Sequence, residues 1–326
     1  MRKSLVAAAL AICLGWAGAA TAQNYPNRPI TLIIPFAAGG PTDVLGRAVG
    51  QKLGEILGQT VVIENVGGAG GMLGGSRVAK AAPDGYTIGL GTVGTHAQNQ
   101  TLHKKPQYHA ANDFTPVVLI AELPIVLIAR KDFPAKDLKE FAAYAKQNQD
   151  KMQFGSAGAG SATHLGCVVV TLALGTNNIT HVPYPGTGPA MTDLIGGRVD
   201  FLCDIITTAK PQVDGGTVKA IATLAKTRSP ALPNVPTAEE QGVADMEAYT
   251  WNALFLPKGA PADVVKKLNE ATVEAMKDAN VRAKLEGLGA SFVSPDRTTP
   301  EYLGKFVRSE IEKWAKPIKA AGVSND

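Results

Sequence analysis

Between Ile30 and Leu90, short apolar runs alternate with amphipathic stretches, and this alternation leaves few architectures open. Residues 30–35 (ITLIIP) read as a buried strand. Residues 42–57 place Val44, Leu45, Ala48, Val49, Leu53, Ile56 and Leu57 near helical spacing, and Gly58 closes that helix. Residues 60–64 (TVVIE) form the next strand, a glycine-rich loop leads into a helix over 72–81, and 86–90 return as a strand. The β-α-β-α-β order implies a parallel sheet with right-handed crossovers.

The pattern recurs in kind further along. Strands are expected at 125–129, 152–155, 179–183, 199–203 and 218–224, with helices at 138–148, 161–174 and 188–195. Two α/β units in tandem suggest two lobes around a cleft. A strand at 251–257 is followed by amphipathic helices at 262–277, 279–288 and 300–321, which have no strand after them and are read as returning to cover the first lobe. The expected division is 23–122 plus 245–326 for lobe 1 and 123–244 for lobe 2. The chain then crosses between lobes at least twice, near 117–129 and 247–257, which makes a hinge rather than a loose linker. The fold class is α/β, a two-lobed binding-protein architecture with an interlobe cleft.

The first 22 residues read as a leader rather than as fold. Arg2 and Lys3 precede an apolar run too short to span a bilayer, and Ala20-Thr21-Ala22 is a cleavage signature that leaves Gln23 at the new N-terminus. Ile12 stands before Cys13 where a lipoprotein needs a small residue. Removing the leader takes away two positive charges and no acidic ones, so the formal charge of +4 falls to +2. Lys and Arg are scattered and aromatic residues make up only 6%, a composition that speaks against a nucleic-acid surface. Cys167 and Cys203 remain. Export permits a bridge between them, but two apolar cysteines are more often simply buried.

Three glycine-rich turns sit between a strand and a helix: residues 35–43 (PFAAGGPTD), 154–165 (FGSAGAGSATHL) and 182–190 (VPYPGTGPA). Thr42 or Asp43 can cap the first helix and Ser161 the second. Helix starts carry unpaired N–H groups and partial positive charge, and here they are free of Lys and Arg. That combination favours a small carboxylate over a polyphosphate. No turn has the Lys of a Walker A loop, and residues 66–75 (VGGAGGMLGG) lack the dinucleotide spacing before a helix. Ser161 lies in AGSAT rather than G-x-S-x-G, and the five histidines show no metal spacing. No cofactor or metal is expected. A secreted hydrolase using Ser161 stays open as a second class. The effector domain of a transcription regulator is a third, against which the leader and the lack of a DNA-binding segment count.

The order YPNRPITLIIPFAAGGPTD, IENVGGAGGMLGG, APDGYT, GSAGAGSATHL, VPYPGTGPAMTDLIGGRVD and LPNVPTAEEQG resembles the substrate-binding proteins of tripartite tricarboxylate transporters, the Bug or TctC type. The resemblance runs from Tyr25 into the C-terminal helices. It implies a periplasmic, monomeric flytrap that passes an organic acid to integral-membrane large and small subunits. It also implies a ligand carboxylate beside Phe36, Ala37, Ala38, Gly39 and Gly40, often through waters, with Gly94, Thr95 and His96 of TVGTH contributing from the same lobe. Matching contacts in the second lobe are Ser156, Ala157, Gly160, Ser161 and His164 with Tyr184, Pro185 and Gly186. The strand end holding Asp204 and Thr207 falls where such proteins vary their specificity. Pro185 departs from the polar or basic residue expected at its position. Each residue also has a plainer role: His164 as support for the cap, Tyr184 as packing, Asp204 and Asp43 as helix caps. The favoured ligand is a dicarboxylate, and an aromatic carboxylate is the alternative. Mass spectrometry of the exported protein should find Gln23 at the N-terminus; an intact leader, or a lipid on Cys13, would contradict the reading of residues 1–22.

Overall fold

The structure, a computed structural model, describes residues 25–244, 246–320 and 322, so the expected leader lies outside the described residues. The chain opens with β1 (Ile30–Ile34), α1 (Pro41–Leu57), β2 (Val61–Asn65), α2 (Met72–Ala79) and β3 (Thr87–Thr92). These strands pair in parallel in the order β2-β1-β3, as the alternation predicts. A π-helical turn (Gly94–Gln98) and the short α3 (Asn99–Leu102) lead into β4 (Phe114–Arg130). Next come α4 (Leu138–Asn148), β5 (Gln153–Ser156), α5 (Ala162–Ala173), β6 (Thr180–Pro183), α6 (Thr187–Ile195), β7 (Phe201–Ile205), α7 (Ile206–Asp214) and β8 (Val218–Thr223). The chain finishes with β9 (Tyr249–Pro257), α8 (Ala262–Lys277), α9 (Ala279–Gly287), β10 (Ser291–Phe292) and α10 (Pro300–Ala320).

The strand expected at 125–129 is the second half of a 17-residue strand shared by both lobes. From Phe114 to Pro124, β4 pairs antiparallel with β9, which also pairs with β3. From Ile125 onward it pairs instead with β7 and β8. Pro124 stands at the change of partner, where a missing N–H costs the ladder least. The second lobe continues β7-β5-β6, with β5 parallel to both neighbours. At the change of lobe, three segments are tied by backbone hydrogen bonds: Ile125 N–H to Ala248 O, Leu224 N–H to Ile125 O, and Ala248 N–H to Leu224 O. The crossings are therefore hydrogen-bonded strands, not free loops.

The shared strand is also the centre of the core. Val117 to Ala121, Leu123 and Ile125 to Ala129 are all buried. Burial on both faces explains why these positions are all apolar rather than alternating. Cys167 and Cys203 are buried free thiols in the second lobe.

The C-terminal helix α10 closes over lobe 1 and fixes the start of β9. Its Glu310, only 4% exposed, accepts hydrogen bonds from Tyr249 Oη (2.8 Å), Trp251 Nε1 (3.0 Å) and Trp314 Nε1 (3.3 Å). Three neutral donors, with the Lys313 ammonium 4.0 Å from Oε1, thus satisfy one buried carboxylate at the foot of a crossing strand. Removing the acceptor strands all three donors, and each buried unsatisfied group costs about 1–3 kcal/mol. Glu310→Ala should accordingly lower stability by about 3 kcal/mol or more in urea unfolding. A loss no larger than that of an ordinary surface substitution would show that water replaces the carboxylate.

Candidate functional site

Three helices begin at the cleft. α1 follows β1 through the turn at 35–40, α5 follows β5 through 157–161, and α6 follows β6 through 184–186. Their N-caps are Gly40, Ser161 and Gly186. Gly40 and Gly186 make no side-chain cap, and Ser161 Oγ accepts from His164 N–H at 3.2 Å. The sequence reading put Thr42 at or near the cap; it is one residue inside the helix, behind Pro41. Proline suits that first position because its missing N–H would be unpaired there anyway.

Between the lobes lies a small cavity of about 20 Å³, room for about one water molecule with the lobes in this arrangement. Lobe 1 contributes Thr42, Thr92 and Thr250 to its lining, and lobe 2 Ser161, Thr163 and Thr187. Phe36, Pro41, Ala157, Ala162 and Ile205 supply the apolar wall. No Lys, Arg, His, Asp or Glu is among the lining residues. Thr42, Thr163 and Thr187 occupy the first turns of α1, α5 and α6. An anion here meets three converging helix starts and a set of hydroxyls, all neutral.

Of the residues expected at the site, Phe36, Thr42, Ala157 and Ser161 line this cavity. Ala37, Ala38, Gly39, Gly40, Gly94, Gly160, Pro185 and Gly186 stand at its lips, where the lobes touch. Ala37 N–H donates to Pro185 O across the cleft at 3.0 Å. A Cβ added at Gly186 would lie 2.7 Å from Ala37 N, one at Gly188 2.7 Å from Ala38 O, one at Gly67 2.5 Å from Pro185 O, and one at Gly94 3.1 Å from Gly160 O. None of these four glycines has a φ in the left-handed region. They are glycines because the backbone of the opposite lobe occupies the space. The sequence suggested that glycine gives a ligand room to approach; here it gives that room to the other lobe.

Other expected contacts lie behind the wall. His96 is buried in lobe 1, stacked 3.9 Å from Phe255, with Nδ1 2.9 Å from Thr95 Oγ1. Burial lowers its pKa to about 3, which keeps the ring neutral. Thr95 Oγ1 accepts from Thr92 N–H and fixes the end of β3. His164 accepts from Gly160 N–H through Nδ1 (3.2 Å) and stacks 4.2 Å from His181, whose Nε2 is 2.7 Å from Ser156 Oγ. Burial, and then the neighbouring His181, lower the His164 pKa to about 3. The Ser161 hydroxyl meets Thr163 Oγ1 at 3.1 Å and the His164 amide, not an imidazole, which is no arrangement for a nucleophile and its base. Tyr184 donates to Asp193 at 2.6 Å and is not part of the cavity wall. Asp43, read as a helix cap, lies inside α1 and makes no cap bond: burial opposes its charge, but Arg47, Gly39 N–H and Asn65 hold its pKa below the usual range.

Asp204 and Thr207 flank the wall residue Ile205 and are both buried. The helix that Asp204 was read as capping is α7, whose N-cap is instead Ile205, the next residue. Sequence reasoning missed Pro41, Ala162, Thr163, Thr187, Ile205 and Thr250 as wall residues, and named Thr92 only as part of TVGTH. Thr163 and Thr187 lie inside the glycine-rich turns and were within reach of that signal. Thr250 comes from β9, distant in sequence, and carries no local mark.

Fold and site together define a two-lobed solute-binding protein. Residues 45–323 match the family described as tripartite tricarboxylate transporter family receptor, TctC. The periplasmic binding protein BugD superposes with a TM-score of 0.90 at 40% identity, covering 93% of this chain and 100% of that one. MatC from Rhodopseudomonas palustris with bound malate gives 0.87 at 42% identity, covering 90% and 99%. An R. palustris protein with adipate gives 0.87 at 34% identity, covering 92% and 99%. The chain belongs to the TctC family of periplasmic receptors, which bind small carboxylates and are not enzymes.

The glycine lips carry a prediction. Gly186 has φ 175°, an extended backbone that alanine adopts without strain. Gly186→Ala should fold normally yet hold the lobes apart, with a larger radius of gyration at ligand saturation and affinity reduced about tenfold or more. Unchanged scattering and affinity would mean that the lips yield without cost.

Proposed function

We propose that this chain captures a small dicarboxylate in the periplasm and delivers it to the large and small membrane subunits of a tripartite tricarboxylate transporter. It works as a monomer after removal of residues 1–22, with lobe 1 formed by 23–122 and 245–326 and lobe 2 by 123–244. The observation that carries this reading is the interlobe cavity, lined by three hydroxyl-bearing residues from each lobe and three helix starts, with no charged side chain in its wall. Such a wall can hold one carboxylate against each lobe by neutral donors. The malate and adipate held by two of the similar proteins support a diacid. An aromatic acid is less suited, because Phe36 is the one ring in the wall and Tyr184 is engaged by Asp193.

Thr42, Thr92 and Thr250 then face one end of the ligand, and Ser161, Thr163 and Thr187 the other. The lip residues from both lobes seal it, while Thr95, His96, Ser156 and His164 position the wall from behind. Binding involves no chemistry. A ligand that touches both lobes stabilises the closed form in proportion to its preference for that form, and the transporter reads the result.

A thermal-shift screen of mono-, di- and tricarboxylic and aromatic acids should give its largest shifts with diacids, since tight binding raises stability by mass action. Converting one ligand carboxylate to an amide should cost about tenfold or more in affinity, as each charge-assisted hydrogen bond is worth roughly 1.5–3 kcal/mol. Ser161→Ala should weaken binding comparably while costing the fold only about 1 kcal/mol for the lost cap. Equal calorimetric affinities for a diacid and its monoamide would refute the two-ended clamp. A stronger response to benzoate-like acids would favour the aromatic alternative.

A further inference from the structure

Behind the lobe-1 wall, the end of β3 and the π-helical turn carry a chain of three polar side chains, Thr92, Thr95 and His96, of which only Thr92 lines the interlobe cavity. All three are buried. Thr95 Oγ1 accepts from Thr92 N–H at 2.9 Å and lies 3.2 Å from Thr92 O, to which it donates. His96 Nδ1 stands 2.9 Å from the same hydroxyl oxygen. Thr92 Oγ1 accepts from Thr95 N–H at 3.3 Å and lies 3.4 Å from Thr95 Oγ1. Tyr108 Oη donates to Thr95 O at 2.8 Å and holds the turn from behind.

The protons of this chain follow from its partners. His96 is packed against Phe255 at 3.9 Å and Phe114 at 4.6 Å, and burial keeps it neutral, so one ring nitrogen carries a proton. Nε2 is buried without a partner. A proton there would be an orphaned donor, which interiors rarely tolerate, whereas a proton on Nδ1 finds Thr95 Oγ1. A hydroxyl has one proton to give and two lone pairs to accept with. Those of Thr95 are then fully engaged: Thr92 N–H and His96 Nδ1–H fill the lone pairs, and the proton goes to Thr92 O. The Thr92 hydroxyl consequently finds no acceptor in Thr95.

Resting on the dicarboxylate reading, we propose that His96, acting through Thr95, turns the Thr92 hydroxyl proton into the interlobe cavity and so makes Thr92 a committed donor to the ligand carboxylate held by lobe 1. His96 is a positioning residue in this scheme, and Thr92 makes the contact. Without a donor at Nδ1, Thr95 Oγ1 keeps a lone pair free, and Thr92 can turn its proton inward onto it. The ligand then meets a lone pair where it needs a proton, and a carboxylate, which can only accept, is repelled.

Substitution at residue 96 separates this role from packing, because the ring and the donor can be removed one at a time. His96→Phe keeps an aromatic ring for the stack on Phe255 and loses the donor. His96→Asn loses the ring and returns an amide N–H near the place of Nδ1. Malate and adipate, the acids held by two of the similar proteins, serve as calorimetric probes. Thr92→Val and His96→Phe should each weaken binding about tenfold, the worth of one charge-assisted hydrogen bond, and the double variant should lose no more. His96→Asn should recover most of the loss, and nitrogen-15 spectra of the wild type should show His96 as the Nδ1–H tautomer. Packing alone predicts the reverse order, with His96→Phe close to wild type and His96→Asn the weaker binder, and that order would overturn the inference. An Nε2–H tautomer, losses that multiply in the double variant, or a Thr92→Val protein that binds as wild type does would overturn it too, and each leaves the diacid reading standing. If His96→Asn fails to fold, the tautomer and the double variant carry the decision. If neither acid binds the wild type, the diacid reading falls and the inference falls with it.

Discussion

A carboxylate removed from water must find donors wherever it goes, and in this protein those donors are neutral. The cleft walls hold hydroxyls and the first turns of α1, α5 and α6. This requirement dictates much of the architecture. Helix starts can converge on one point only if each follows a strand whose C-terminal end reaches the cleft, which is what parallel β-α units in two lobes provide. The same requirement dictates the burial of Asp43, whose pairing with Arg47 keeps its charge occupied beside the site rather than opposed to an incoming anion.

Enclosure depends on how closely two backbones can approach. Gly67 and Gly94 of one lobe and Gly186 and Gly188 of the other remove the side chains that would stand between them. The Ala37–Pro185 hydrogen bond then joins the lobes directly. On the opposite side, β4 and the start of β9 keep the lobes attached through continuous strand pairing, with the change of partner at Pro124. Motion is thereby confined: the lips can part while the hydrogen-bonded crossings bend.

Much of this was legible in the sequence, and the reasons for the rest are local. The β1–β3 unit announced itself because its apolar periods are clean and its turns carry glycine. The length of β4 was not read because Pro116 and Pro124 interrupt what would otherwise be one apolar run. The extent of helix α7 was not read because its sequence, ITTAKPQVD, combines β-branched residues with Pro211, all poor helix formers. Phe36, Thr42, Ala157 and Ser161 were found because turn chemistry marks them. His96 was drawn toward the site by its polar neighbours, whereas its ring serves the aromatic packing with Phe255 and Phe114. Thr250 is invisible to local patterns, since only the pairing of β9 with β4 and β3 brings it to the cleft.

Neutral recognition also suits a protein that must give its ligand up. A buried Arg or Lys in the wall would bind a carboxylate strongly, but opening the cleft would leave an uncompensated charge. Hydroxyls and helix amides rehydrate on opening without that penalty, because water replaces the ligand at each donor. The closed form is then held by many modest hydrogen bonds and by the lip contacts rather than by one dominant ion pair. Parting the lips breaks those contacts together, so that capture and release are set by the geometry of closure.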